Sequence, residues 1–252
     1  MQAVGKQARI LSLAPSITEL LFHIGAESQI VGRTDPCNFP PSVQKIPSVG
    51  SLFPPNLEAI LRVKPDIVMM TSGNLQLKEK LRALGIPVYV TQTQTVRGIA
   101  HQIEQLGMLT NRETTAVAKA KQFEAMLTSI SQESSTARPK VYWEIWSTPQ
   151  MSAGMSSFVN DIIRIAGGEN IFADRKESWP TVTSESIVRR QPTVIFTVDR
   201  EGMISKRKAW LKMMKIDDSR VVQIDRADIL HRPTTRVIEG VRWVASILRE
   251  KQ

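Results

Sequence analysis

Cysteine is nearly absent from this 252-residue chain, where Cys37 stands alone. No intramolecular disulfide can form, and there is no CxxC pair to bind a metal or exchange with a thiol. Histidine is almost as scarce. His23, His101 and His231 lie far apart and make neither an HExxH nor an HxH pair, so no metal site built by the protein alone is expected. No run of 18 or more apolar residues occurs, and so no segment reads as a membrane-spanning helix. GxSxG, GxxxxGK[ST] and GxGxxG are all missing. Their absence removes the common signatures of serine hydrolases, phosphate-binding loops and dinucleotide sites, and the chain is expected not to be an enzyme. Residues 1–7 lack the apolar core of a secretory leader. Two expectations stay open from this: a cytosolic chain, or one whose leader was removed and a start methionine supplied.

What is present is ordinary in bulk. Apolar residues make up 42% and charged residues 23%, as in soluble globular proteins. The length suits one large domain or two of about 125 residues each. The net charge of +9, from 33 basic and 24 acidic residues, invites a nucleic-acid partner. The basic residues are scattered, however, and no basic patch alternates with aromatics. A solvated basic surface is the expectation, with no nucleic acid bound.

Strands and helices alternate along the chain. Residues 9–13 form a short apolar run broken at Ala14-Pro15, and Ser16-Ile17-Thr18-Glu19 reads as a capping box opening a helix that stops at Gly25. Strands are expected at residues 30–32, 65–70 and 87–90, and helices from Asn56, from Leu75 and over residues 96–109. This alternation predicts a parallel sheet with helices on its faces. Residues 111–131 differ. They contain no Gly or Pro and place Val117, Ala120, Phe123, Ala125 and Leu127 on roughly one side, which predicts a single helix about 30 Å long. A polar break follows over residues 134–139, and the alternation resumes with a strand from Lys140.

An internal repeat points to two similar halves. Residues 56–68, NLEAILRVKPDIV, align without gaps on residues 183–195, TSESIVRRQPTVI. Asn56 and Thr183 are cap-type residues, Glu58 and Glu185 are acids suited to a helix N-terminus, and Pro65 and Pro192 end each helix. A weaker echo links residues 22–26 with residues 163–167. The expected organisation is an α/β lobe over 1–109, a bridging helix and linker over 110–137, and a second α/β lobe over 138–252.

The opening RILSLAPSITE of residues 9–19 resembles the start of the helical-backbone periplasmic binding proteins for iron complexes and cobalamin, which serve ABC importers. Residues 31–35 (VGRTD), 46–50 (IPSVG), 56–58 (NLE) and 64–68 (KPDIV) look like the next blocks in that order. Residues 152–154 (SAG), 166–172 (AGGENIF), 179–185 (WPTVTSE) and Arg232-Pro233 complete the series. The AGGENIF and WPTVTSE blocks, with Trp143-Glu144-Ile145-Trp146, are most similar to the cobalamin-binding branch. The resemblance implies two Rossmann-like lobes joined by one long backbone helix, and a ligand held by loops at the carboxyl ends of the strands. It implies a monomer working outside the cytoplasmic membrane, in the periplasm or its equivalent. The partners would be cobalamin or another corrinoid and a membrane permease dimer. An iron-siderophore complex or haem is the alternative ligand, and a cytosolic corrinoid carrier the alternative role.

The loops so implied supply the candidate ligand residues. In the first lobe these are Pro15, Ser16, Arg33, Asp35, Cys37, Ser51, Leu52, Phe53, Met70 and Thr71. In the second they are Trp143, Trp146, Trp179, Arg200, His231 and Arg232. Trp179 and Trp146 stand in polar loops rather than on an apolar stripe, and an indole covers the face of a flat macrocycle well. Relatives in the cobalamin branch often carry Trp or Tyr in the first-lobe loops, where this chain has Leu52, Phe53 and Met70. His231 has the chemistry to reach an iron or cobalt centre or to donate a hydrogen bond. The arginines suit ligand carboxylates or phosphate. Permease docking is expected to use Glu201 in the second lobe and Glu79 in the first.

Overall fold

The computed structural model describes residues 8–51, 53–91, 93, 95–133 and 138–251. Leu52, the extreme N-terminus and residues 134–137 of the expected polar break lie outside the described residues. The chain divides into two compact units, the first running to Thr93 and taking in Arg97–Glu124, the second comprising Val96 and the chain from Ala125 onward.

The first unit alternates as the apolar runs require: β1 (Ile10–Ser12), α1 (Pro15–His23), β2 (Ile30–Arg33), α2 (Leu57–Arg62), β3 (Ile67–Thr71), α3 (Leu75–Ala83), β4 (Val88–Thr91) and α4 (Gly98–Thr110). Its four strands pair in parallel in the order β2-β1-β3-β4. A parallel sheet covered by helices is apolar on both faces, and Ile10, Leu11, Ile67, Val68, Met69 and Met70 are all buried. Leu11, Val68 and Met70 meet Ile60 of α2 and Leu77 and Leu81 of α3 in one cluster.

Helix α5 (Glu113–Gln132) follows, and the division between the units falls within it. Its buried positions are Ala116, Ala120, Phe123, Leu127 and Ile130, a stripe at spacings of four and three. Val117 and Ala125, expected on that face, are exposed. At 100° per residue, Ala125 sits nearly opposite Leu127, and the stripe is carried instead by Ala116 and Ile130.

The second unit contains β5 (Lys140–Ser147), β6 (Gln150–Ser152), α6 (Phe158–Ile165), β7 (Glu169–Asn170), α7 (Ser184–Arg190), β8 (Val194–Thr197), α8 (Arg200–Lys206), α9 (Lys208–Met213), β9 (Val221–Gln223), α10 (Ala227–Leu230) and α11 (Val237–Glu250). Strands β7, β5, β8 and β9 lie side by side in parallel, the order of the first sheet repeated. Strand β6 is an addition, antiparallel to the carboxyl half of β5.

The sequence repeat is therefore a structural one. Asn56 caps α2 by accepting from Ala59 N, and Thr183 caps α7 by accepting from Ser186 N within a capping box. Lys64 (φ 45°) and Gln191 (φ 48°) both turn left-handed just before Pro65 and Pro192. The weaker echo shifts by one residue. Gly25 (φ 75°) and Gly167 (φ 87°) are the matching positions, each two residues past its helix, because only there does the chain need the left-handed turn. The expected capping box at Ser16 is absent. Pro15 occupies the first helical turn, so the cap position moves back to Ala14 and Ser16 lies inside the helix.

Helices α4 and α5 meet at Gly107, where an added Cβ would fall 2.3 Å from the Ala116 Cβ. Neither atom can yield without parting the helices. Gly107→Ala is expected to destabilise the first unit by about 1–3 kcal/mol, read as a lower urea midpoint. An unchanged midpoint would show slack between α4 and α5.

Candidate functional site

In an open parallel sheet the ligand edge lies where the strand order reverses, beyond the carboxyl ends of the strands. In the first unit the reversal falls between β1 and β3, and in the second between β5 and β8.

The first-unit edge carries Pro15, the buried Ser16 in the first turn of α1, and Thr71 at the end of β3. Ser51 Oγ donates to Phe53 O at 3.1 Å and accepts from Phe53 N at 3.2 Å, closing a tight local turn. That turn presents the Phe53 ring, 61% exposed. The ring tip comes within 3.6 Å of where a side chain on Gly73 would begin. With Gly73, Asn74, Leu75 and Lys80 it borders an open cavity of ≈ 510 Å³. Asp35 is exposed and accepts from Ser48 Oγ at 2.5 Å.

Besides Ser16, three first-unit candidates are not at the surface. Met70 is a core residue, because the alternation of β3 turns it toward Leu77 and Leu81. Cys37 is buried, with Thr18 Oγ1 at 3.2 Å and Thr34 Oγ1 at 3.3 Å from its sulfur. Arg33 is buried and committed to its own loop. It donates to Val43 O (3.1 Å), Thr34 O (3.2 Å) and Gln44 Oε1 (2.7 Å), so a carboxylate would have to displace those acceptors.

In the second unit Trp146 is the last residue but one of β5 and is 60% exposed, its Nε1 donating to Thr148 O at 2.8 Å. Trp179 is 42% exposed. The two belong to one framework. Trp146 pairs with Met151 across the β5–β6 hairpin, and Met151 in turn bridges to Thr181. Ser152 N donates to Pro180 O at 3.1 Å and Gly154 N to Ser178 O at 2.9 Å, which lace the Trp179 loop against the hairpin. Gly154 permits that approach: a Cβ there would stand 2.0 Å from Glu177 O.

Trp143, by contrast, points into the core. Its ring is fully buried and stacks on Phe196 at 4.7 Å with 16° between planes, and a register shift in β5 separates it from the exposed Trp146. Arg200 opens α8, but its guanidinium folds back to Val221 O and Asp218 O, both at 2.8 Å, away from the carboxyl edge. His231 caps α10, and Arg232 follows it, half-buried. Much of the His231 residue is exposed, yet its imidazole lies deep enough for burial to hold its pKa below 6.5 and keep it neutral near pH 7. Among the described residues no three His, Cys, Asp or Glu side chains gather as metal ligands. Glu201 is exposed on the first turn of α8, and Glu79 is exposed on α3, 3.6 Å from Arg82.

Sequence reading missed the group beneath this edge. Glu144 of β5 is buried and paired with Arg207, between α8 and α9, and Thr197 Oγ1 donates to its Oε2 at 2.7 Å. The one signal was an acid in an otherwise apolar strand, and nothing in the sequence named its partners.

The periplasmic binding protein family matches residues 10–218. The chain belongs to that family. It is 28% identical over 251 residues to a vitamin B12-binding protein of Vibrio cholerae, covering 97% of this chain and 90% of the relative. The crystal structure of the periplasmic vitamin B12 binding protein BtuF of V. cholerae superposes with a TM-score of 0.80 at 28% identity, over 98% of each chain. A periplasmic heme binding protein of V. cholerae, HutB, superposes equally well (TM-score 0.80, 96% of this chain and 99% of that one) at 21% identity, a likeness of fold alone.

Burial lowers the pKa of His23 as well as His231, with Lys119 adding to the effect at His23. Below 6.5 and above the lowered folded values, the unfolded chain binds more protons than the folded one, so stability rises with pH. The denaturation midpoint is therefore expected to be lower at about pH 5.5 than at about pH 7.5. Replacing both histidines by Asn should flatten the difference, and a midpoint that rises on acidification would contradict it.

Proposed function

We propose that this protein is the substrate-binding component of an ABC importer. In this reading it works outside the cytoplasmic membrane, holds cobalamin or a related corrinoid and delivers it to a membrane permease. The observation that carries the ligand is the pair of exposed indoles, Trp146 and Trp179, on one laced framework at the carboxyl edge of the second sheet. A corrin presents a broad, partly apolar face, and an indole offers area and a polar edge to it. The V. cholerae relatives support the same choice, being named for vitamin B12 and matched over nearly the whole chain. Membership of a binding-protein family supports a role without chemistry, and the periplasmic names of the relatives support the location.

A haem or iron chelate is the second reading. It is favoured by His231, whose neutral imidazole is the form that ligates iron, and by an exposed Phe53 ring where the first unit has no indole.

Visible spectra of the desalted protein after incubation with cyanocobalamin, haemin or a ferric siderophore separate the readings. Cobalamin retention is expected, with retention of haemin alone supporting the second. Trp179→Ala or Trp146→Ala should then weaken cobalamin by about 5- to 150-fold, the loss of roughly 1–3 kcal/mol of aromatic contact. Titration calorimetry checks this, with circular dichroism as the folding control. Unchanged binding in both variants would remove the indoles from the site.

A further inference from the structure

Both switch-point strands of the second unit end on one buried carboxylate. Glu144 lies on β5 three residues before its end and is almost fully excluded from solvent. One of its oxygens pairs with Arg207, and the other accepts from Thr197 Oγ1 on β8 at 2.7 Å. Each partner reaches onward to a different loop. The Arg207 guanidinium donates a second bond to Ser147 O at 3.3 Å, on the residue after Trp146. Thr197 Oγ1 accepts from Asp199 N at 3.1 Å, the residue that caps α8 through Gly202 N.

We propose that Glu144 is the positioning residue of the second unit's ligand edge, clamping the Trp146 loop through Arg207 and the start of α8 through Thr197. This rests on the reading of Trp146 as a ligand platform. The chemistry requires a carboxylate. A single side chain here must accept in two directions from partners on different elements, and an aliphatic replacement accepts in neither. The charge is matched but dearly desolvated, since a buried ion pair adds little net stability over a well-packed apolar one. Its distinctive contribution is geometric. Arg207 is held in a fixed plane by the Trp210 ring, 5.1 Å from its Cζ, and by Met203 Sδ at 3.6 Å, so the fork that meets Ser147 O is set before any ligand arrives. Tyr142 adds to the enclosure. Its hydroxyl is buried beside the pair, and burial first, then the Glu144 charge, raises its pKa, so it stays protonated beside the carboxylate.

The test separates the two arms. Arg207→Lys keeps the charge but loses the planar fork that offers one nitrogen to Glu144 and the other to Ser147 O. Thr197→Val keeps the shape and leaves Asp199 N without its acceptor. Cyanocobalamin titration, thermal melting and amide hydrogen exchange are measured on the full chain. Both variants are expected to stay folded and to bind about tenfold more weakly, the loss of one charged or buried hydrogen bond. Exchange should speed up around residues 146–150 in Arg207→Lys and around residues 198–202 in Thr197→Val, each without the other. A merely structural role would lower the melting midpoint and leave those patterns and the affinity alone, which would overturn the proposal. So would faster exchange with affinity within about twofold of wild type. If wild type binds no cobalamin, the functional reading falls, and the two exchange patterns still decide whether the clamp exists. If either variant fails to fold, Glu144→Gln replaces it, keeping an acceptor for Thr197 and removing the charge. Exchange should then speed up around residues 146–150, where the Arg207 pairing is weakened, and stay as in wild type around residues 198–202, and unaltered exchange around residues 146–150 would overturn the clamp.

Discussion

Parallel strands cannot be joined by a tight turn. Each strand of the two parallel sheets must leave at its carboxyl end and return over a face of the sheet, which is why every strand-ending residue opens a loop or a helix on one edge. That single constraint gathers the chemically varied residues. The strand interiors are mostly apolar, with Glu144 the exception in β5, while Thr71, Ser147 and Thr197 appear where the strands run out. The order β2-β1-β3-β4, repeated as β7-β5-β8-β9, then selects one gap in each edge, between the first and third strands, where the crossovers diverge and leave room.

The second unit departs from the first at the end of β5, and that point carries one of its exposed indoles. Strand β5 runs on for eight residues, where β1 has three, and turns back as β6. The added hairpin is antiparallel and projects Trp146, and it gives the Trp179 loop a backbone edge to pair with. The first unit has no such extension among its described residues, and its exposed rings, Phe39 and Phe53, come from a long connection between β2 and α2. The asymmetry in side chains thus follows from an asymmetry in backbone. A ring on a hydrogen-bonded ribbon is held more narrowly than a ring on a connecting loop, and the second unit is the better platform for a rigid macrocycle.

Periodicity made most of the fold legible. Alternating apolar runs and the thirteen-residue repeat gave two α/β units, and the repeat survives in the structure down to the left-handed residues before Pro65 and Pro192. The errors came where one residue of phase matters. The buried stripe of α5 runs through Ala116 and Ile130, since small alanines on both faces left the apolar side ambiguous. The candidate site was less legible for the same reason. A register shift between Glu144 and Trp146 breaks the simple alternation of β5, so naming the block Trp143-Glu144-Ile145-Trp146 did not say which indole is exposed. Trp146 is exposed and Trp143 is stacked on Phe196 in the core. Nor can a loop assignment show that an arginine spends its donors on nearby carbonyl and amide oxygens, as Arg33 and Arg200 do.

The partners of Glu144 were the least legible feature because they are brought together only by tertiary structure, Thr197 from 53 residues away and Arg207 from 63. Their place in the energetics explains why such a group sits under a binding edge. Exposed indoles offer no packing of their own to fix them, and each costs the protein solvent-exposed apolar surface while empty. A loop carrying one must be held from below if its ring is not to collapse onto the nearest apolar patch. Apolar packing is non-directional and can slide, whereas a fork of charged hydrogen bonds has one arrangement. A carboxylate placed between the ends of β5 and β8 therefore does for the ligand edge what the sheet hydrogen bonds do for the strands. It converts a buried, costly charge into a fixed distance between two loops, and that distance determines what can lie across them.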